Sequence, residues 1–98
     1  MIIKEIKEQV ASSAHPIARA LHQGPHCKAL AIAFTKGMWL KEHRTNLPAT
    51  LTVLNGAVVY HKGEGQKPLE QYDSTSIPVG VLHAVECTEN AICLLIQG

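Results

Sequence analysis

The chain is poor in aromatic residues: its 98 residues include one Trp, one Phe and two Tyr. Aliphatic side chains and Ala must therefore supply most of its core. Charge of one sign is not in excess either, since nine Lys and Arg are set against eight Asp and Glu, without a basic run. Because nucleic-acid-binding proteins need a basic surface, no nucleic-acid partner is expected.

Long apolar runs are also missing from the sequence. Without a run of about 20 apolar residues, a transmembrane helix and a membrane partner are not expected. The first eight residues mix Lys and Glu with Ile, which differs from the charge and apolar pattern of a secretory signal peptide. These features predict a cytoplasmic protein.

Paired cysteines are absent. The chain has an odd number of cysteines, Cys27, Cys87 and Cys93, and no two of them form a Cys-x-x-Cys pair. This pattern argues against a disulfide framework and a structural zinc site. Free thiols buried as small apolar side chains are the simplest interpretation.

Short apolar segments alternate with turn residues along most of the chain. The spacing predicts about nine or ten short strands in an all-β barrel or sandwich, formed as one domain. Asn55-Gly56 lies between apolar segments 50–54 and 57–61, and this dipeptide is typical of a type I′ hairpin turn. A second hairpin turn is predicted at 62–66.

The last part of the chain is predicted to contain two more strands. Residues 81–87 and 91–97 are apolar segments separated by Thr88, Glu89 and Asn90. Those three polar residues predict a final turn. The last segment is apolar on both faces, so both of its faces should be covered.

The N-terminal residues 1–13 fit either a short helix or an edge strand, since their Ile and Val residues lie roughly on one helical face. In the predicted strand 27–35, large residues occupy one face and Ala the other. A face of small residues lets another backbone approach closely. It is therefore assigned to a packed sheet or to a contact between subunits; the plain alternative is that it lies under the N-terminal segment.

Two stretches of the sequence resemble the two motifs of the cupin superfamily, in its small single-domain form. In the first stretch, five residues separate Gly37 from His43, and the stretch ends at Gly56. In the second, Pro78-x-Gly80-x-x-His83 matches the family's other motif. The resemblance covers residues 29–96.

This resemblance implies a double-stranded β-helix, which is a jelly-roll barrel. One cupin domain would then span residues 1–98, with a core at 29–96 and an N-terminal arm at 1–15 that packs on the barrel. Proteins of this form are usually homodimers, so a homodimer is expected here.

The resemblance also implies a metal site, but an incomplete one. Of the family's four ligand positions, only His43 and His83 keep a ligand, while Thr45 and Ala49 stand where the second His and the Glu would be. Imidazole binds divalent transition metals such as Zn, Fe, Ni or Mn. A catalytic metal site normally needs three protein ligands, and Cys87, on the same strand face as His83, is a candidate third ligand.

A pocket beside these histidines is expected to be lined by Trp39, Thr45 and Cys87. Trp39 and Thr45 share the strand face of His43 if no bulge interrupts the alternation of side chains. His61, at the border of a predicted hairpin, is expected on the surface.

Three functions fit these features. The first is a cupin that binds a small molecule in the barrel pocket, with a weak or incomplete metal site. The second is a metal-dependent cupin enzyme of the oxygenase or isomerase type. The third is a structural or regulatory dimer without catalysis. Whether the protein is an enzyme stays open, since the sequence has no glycine-rich phosphate loop and no nucleophile elbow.

Overall fold

The computed structural model describes residues 1–98, except for the side chain of His43. One helix precedes seven strands. The helix and strands, in chain order, are α1 (Ile2–Val10), β1 (Ile17–Gln23), β2 (Lys28–Phe34), β3 (Trp39–His43), β4 (Ala49–Lys62), β5 (Gly65–Glu70), β6 (Ser74–Ile77) and β7 (His83–Gln97). The all-β prediction is confirmed, and the N-terminal segment is a helix. This helix is neither long enough nor apolar enough to cross a membrane.

The strands pair antiparallel in the order β1-β2-β7-β4-β5, with β3 added to β7 and β6 added to β4. Two long strands organise this sheet. β4 and β7 pair with each other from Ala49↔Gln97 to Lys62↔His83. Each also pairs with two further neighbours, since β2 and β3 lie along β7, while β5 and β6 lie along β4.

The predicted hairpin at Asn55-Gly56 is wrong, and so is the predicted turn at 88–90. β4 continues through Asn55-Gly56, and β7 continues through residues 88–90. The β4–β7 register shifts between Val53 and Val58. Gly56 has φ +83°, and a bend in a strand uses the same left-handed conformation as a hairpin turn. The dipeptide therefore marked a bend where a turn was predicted.

The hairpin predicted at 62–66 is confirmed. β4 and β5 pair from Ala57↔Glu70 to Lys62↔Gly65. Gly63 takes a positive φ of 58° in the tight connection between them, which suits glycine. This hairpin sets the register that places Tyr60 opposite Lys67.

The barrel core consists of alternate residues from the strands. On β4 the residues facing inward include Leu51, Val53, Val58 and Tyr60, which are all at most 5% exposed. The same core contains the predicted large face of β2, with Ile32 and Phe34 buried and Leu30 packed against them. Consecutive residues of a strand face opposite sides of the sheet. The inner and outer sides of β4 therefore present different side chains.

A second apolar cluster fixes the N-terminal helix on the outside of the barrel. Ile6 and Val10 of α1 pack with Ala31 and Ala33 of β2, and both alanines have no exposed surface. Of the three predicted roles of the Ala face, cover by the N-terminal segment is confirmed. The part of the face at Ala31 and Ala33 is therefore covered within the chain, and the homodimer stays a prediction.

Candidate ligand site

Strand β3 brings the backbones of the two motif histidines together. Trp39 pairs with Glu86 and Leu40 with Val85, whereas His43 pairs directly with His83. The register therefore shifts by one residue between Leu40 and His43, as a β-bulge requires. The side chain of His43 lies outside the described part of the chain, so its role as a metal ligand stays a prediction.

His83 is buried on the core side of β7, with 2% of its surface exposed. Its Nδ1 lies 3.1 Å from the carbonyl oxygen of Val81. A carbonyl oxygen can only accept a hydrogen bond, so Nδ1–H donates, and a neutral ring then carries its lone pair on Nε2. The backbone thus fixes the tautomer and the orientation of this imidazole.

Tyr60 packs against this histidine from β4. The centroids of the two rings are 5.8 Å apart at an interplanar angle of 36°. The Tyr60 hydroxyl is buried and has no hydrogen-bond partner among the described atoms. Burial raises the pKa of Tyr60, so the hydroxyl keeps its proton and is available as a donor.

Tyr60 also lines a cavity of about 350 Å³ between the start of β5 and the end of β6, called here the β5–β6 cleft. The residues that line this cleft are Tyr60, Lys62, Gly65, Gln66, Lys67, Thr75 and Ser76. The Lys67 ammonium group lies 3.5 Å from the Thr75 hydroxyl oxygen. The lining therefore supplies two cations and several hydroxyl or amide groups, and none of its residues is acidic.

Two of the four positions where the resemblance places metal ligands are occupied by Thr45 and Ala49. The Thr45 hydroxyl donates a hydrogen bond to the carbonyl of Leu47. Ala49 is buried and has no ligand atom in its side chain. Among the described residues, no three His, Cys, Asp or Glu side chains form a group that could hold a metal ion. The donor set therefore does not fit the family's four-ligand centre.

The three predicted pocket residues, Trp39, Thr45 and Cys87, lie in different surroundings. Cys87 is 1% exposed in the core, whereas Trp39 pairs with its neighbour Glu86 and lies on the opposite face of the sheet. Thr45 lies beyond the end of β3, in a separate cavity beside Leu47. The condition for the prediction was an unbroken alternation along β3, and the bulge after Leu40 breaks it.

Cys87 is also a poor soft-metal ligand in this position. Its Sγ–H donates to the carbonyl oxygen of Glu89 at 2.9 Å. Burial raises the pKa of the Cys87 thiol, and only the thiolate binds a metal well. Its packing in the barrel core accounts for its presence.

A larger cavity of about 730 Å³ lies on the outer face of the sheet, against β3, β4 and β7. The residues that line it are Trp39, Lys41, Glu42, His61, Gly63, Leu82 and Ala84. We call it the outer groove. The rings of Trp39 and His61 face each other there at 4.9 Å and 30°, and His61 Nε2 lies 3.1 Å from Glu86 Oε1. His61 was expected on the surface, but its side chain is only 20% exposed.

Sequence reasoning missed Tyr60, Lys67 and His61 as candidate site residues. The alternation along β4 could have placed Tyr60 with the buried Val58 and His61 on the other face. However, their partners come from β3, β5 and β7, and the sequence pattern did not give those registers. Lys67 became a candidate only when the β4–β5 hairpin placed it opposite Tyr60.

The sequence matches no family model, and no curated protein is significantly similar to it in sequence. The structure resembles many solved structures. A cupin superfamily protein from Desulfitobacterium hafniense has a TM-score of 0.81 at 19% identity, over 87% of this chain and 78% of that one. An RmlC-like cupin from Desulfovibrio desulfuricans has a TM-score of 0.80 at 18% identity, over 95% and 86%. A cupin 2 conserved barrel domain protein from Leptotrichia buccalis has a TM-score of 0.81 at 28% identity, over 88% and 42%.

These similarities identify the architecture as the double-stranded β-helix of a small β-barrel. The chain has the fold of the cupin superfamily, and the resemblance carried by its two motifs is confirmed at that level. A fold of this kind hosts many functions. The role of the protein must therefore be argued from its own side chains.

Proposed function

We propose that this protein is a cupin-fold binding protein whose ligand is a small molecule with an anionic group, held in the β5–β6 cleft. The observation that carries the proposal is the buried, unpartnered hydroxyl of Tyr60. Leaving such a donor unpaired costs roughly 1–3 kcal/mol. The hydroxyl has almost no exposed surface, so side chains at the cleft must move aside before a ligand oxygen can accept from it; that hydrogen bond would then offset the cost.

The charges of the cleft support an anionic group. Lys62 and Lys67 are its two cations, and no carboxylate lines it to oppose them. A carboxylate or phosphate oxygen forms stronger hydrogen bonds with ammonium and hydroxyl donors than a neutral acceptor does. The cavity volume of about 350 Å³ lies at the small end of the range for small-molecule sites.

His83 supports the site from behind. Its ring contacts the ring of Tyr60, and its own Nδ1 is held by the backbone. This packing limits the positions open to the Tyr60 ring, so the hydroxyl is oriented before a ligand arrives. Preorganised donors bind with a smaller loss of conformational entropy.

The proposal includes no metal-dependent reaction, because Thr45 and Ala49 do not supply the family's ligands. Elemental analysis of the purified protein tests this part separately. Stoichiometric metal that raises the melting temperature, and that is lost in His83→Ala, would support the metal-dependent enzyme instead.

The main test is a titration of the protein with small carboxylates, dicarboxylates and inorganic phosphate, followed by calorimetry and thermal shift. At least one of these anions should bind saturably and stabilise the protein. Lys67→Met should weaken binding about tenfold, which corresponds to one lost charge-assisted contact. Lys4→Met, on the exposed side of α1, removes the same charge away from the cleft and should leave the affinity unchanged.

Tyr60→Phe separates a binding role from a structural one. The variant removes the unpaired hydroxyl and keeps the packed ring, so the unliganded protein should be as stable as the wild type, or more stable. Its affinity for the anion should fall. If no anion binds, or if Tyr60→Phe loses stability and keeps its affinity, the proposal is wrong.

A further inference from the structure

The outer groove has the shape and chemistry of a second ligand site, on the other side of the wall from the β5–β6 cleft. Tyr60 faces the core, and the next residue, His61, faces the outer groove. The groove volume of about 730 Å³ is well inside the range of small-molecule sites. From these features we infer that the outer groove binds a neutral carbohydrate.

Trp39 supplies the flat surface that a sugar ring requires. It is 45% exposed, although a Trp side chain has much apolar surface to bury. One neighbour of its ring is His61, at 4.9 Å. The electron-rich face of an indole attracts weakly positive C–H groups, and a pyranose presents a row of such groups on one side.

The Trp39 ring is held in place before any ligand binds. His61 packs against it, and Glu86 holds His61 through a hydrogen bond of 3.1 Å. Glu86 is also the direct strand partner of Trp39. The three side chains thus form a chain of contacts across β3, β7 and β4, which are rigid elements of the sheet.

The edges of the groove carry groups that can bind hydroxyls. Glu42 is exposed and provides carboxylate acceptors, and Lys41 adjoins it with a cationic side chain. One acid and one base give the rim no net charge, in contrast with the two cations of the cleft. Ala84 forms a small floor, and Leu82, which is 38% exposed, adds an apolar edge. A ligand with an apolar face and many neutral hydroxyls matches this set better than an anion does.

Intrinsic fluorescence provides a direct test, because Trp39 is the only Trp in the chain. The protein is titrated with glucose, galactose, mannose, maltose and cellobiose, with choline added as a cation. At least one of the pyranose sugars should shift the emission saturably, at micromolar to millimolar concentration. Glu42→Gln should weaken that binding about tenfold. Glu64→Gln, in the exposed β4–β5 turn, should not.

Two further measurements distinguish loss of the sugar site from loss of the fold, and this site from the β5–β6 cleft. Trp39→Leu, followed by saturation-transfer NMR in place of fluorescence, should lose the sugar signal while the chain keeps its fold. Tyr60→Phe should leave sugar binding unchanged, so failure of the anion site and failure of this site can be told apart. The inference is overturned if no sugar shifts the emission, or if only choline does. It is also overturned if the shift follows protein concentration, which would assign the groove to a contact between two copies of the chain.

Discussion

Substitution of Gly56 by Ala tests whether β4 continues as one strand through Asn55-Gly56. Gly56 has φ +83°, in the middle of β4, where this strand passes β7. A Cβ atom at this position would overlap the carbonyl oxygen of Asn90 and lie 2.8 Å from the Cα of Ala91. Both obstacles are backbone atoms of the strand beside it, so no side-chain rotation relieves them.

The expected loss of stability has two parts. An L-residue in the left-handed region costs about 1–2 kcal/mol. Overpacking against a rigid neighbour costs about 1–3 kcal/mol more. Gly80→Ala isolates the first part, since Gly80 has a similar φ of +76° and nothing lies within 4 Å of its added Cβ. Gly56→Ala should therefore lower the free energy of unfolding by about 2–5 kcal/mol, and Gly80→Ala by about 1–2 kcal/mol.

Urea denaturation followed by circular dichroism measures both variants. For a chain of this size, 1 kcal/mol corresponds to a shift in melting temperature of about 4–8 °C. A domain's whole stability is about 5–15 kcal/mol, so failure of Gly56→Ala alone to fold agrees with the same reasoning. If the two variants lose equal stability, Gly56 has open space around it, as in a hairpin turn, and the continuous β4 is wrong.

Three further predictions concern the helix and the thiols. Ile6→Ala should lower stability by about 2–5 kcal/mol, because the side chain of Ile6 is fully buried between α1 and β2, whereas Ile2→Ala, at a 37% exposed position, should cost far less. Native protein should expose one thiol, Cys27, to a thiol reagent, and three after denaturation. Burial raises the pKa of the Cys93 thiol to about 12, and Cys87 adds to the rise. Since an unfolded thiol loses its proton near pH 8.5, stability should fall as pH rises from there to about 12, and Cys93→Val should flatten this slope.

The sequence predicted the short-range structure of the barrel well and the long strands poorly. Alternation in β2 placed Ile32 and Phe34 in the core, because a strand buried on one face needs large residues at every second position. Asn55-Gly56, in contrast, indicates only a left-handed conformation. Whether the chain reverses there or bends and continues depends on β7, which lies far along the sequence. Local pattern carries no information on that choice.

The candidate site was predicted less completely than the fold. The motif spacing placed His43 and His83 on strands that do pair directly, which is a property of the backbone. The identity of the pocket wall depended on side-chain direction along β3, and one extra residue in a bulge reverses that direction. Trp39 consequently lies in the outer groove, away from the buried Cys87. Bulges leave a weak signal in a single sequence, so the side-chain direction of Trp39 could not be read from the sequence alone.

The cupin motif residues and the residues of the two proposed sites overlap only at His83 in this chain. Gly56 and Gly80 serve backbone conformation, and the fold needs them whether or not a metal binds. Thr45 and Ala49 stand where the resemblance would place two metal ligands, and both are buried. Both proposed sites include a residue of β4, where Tyr60 and His61 face opposite sides of one strand. Similarity of fold therefore identifies the strands of the barrel wall, but the function depends on the side chains that β4 presents on each of its faces. Those side chains are the basis for the sites proposed in the β5–β6 cleft and the outer groove.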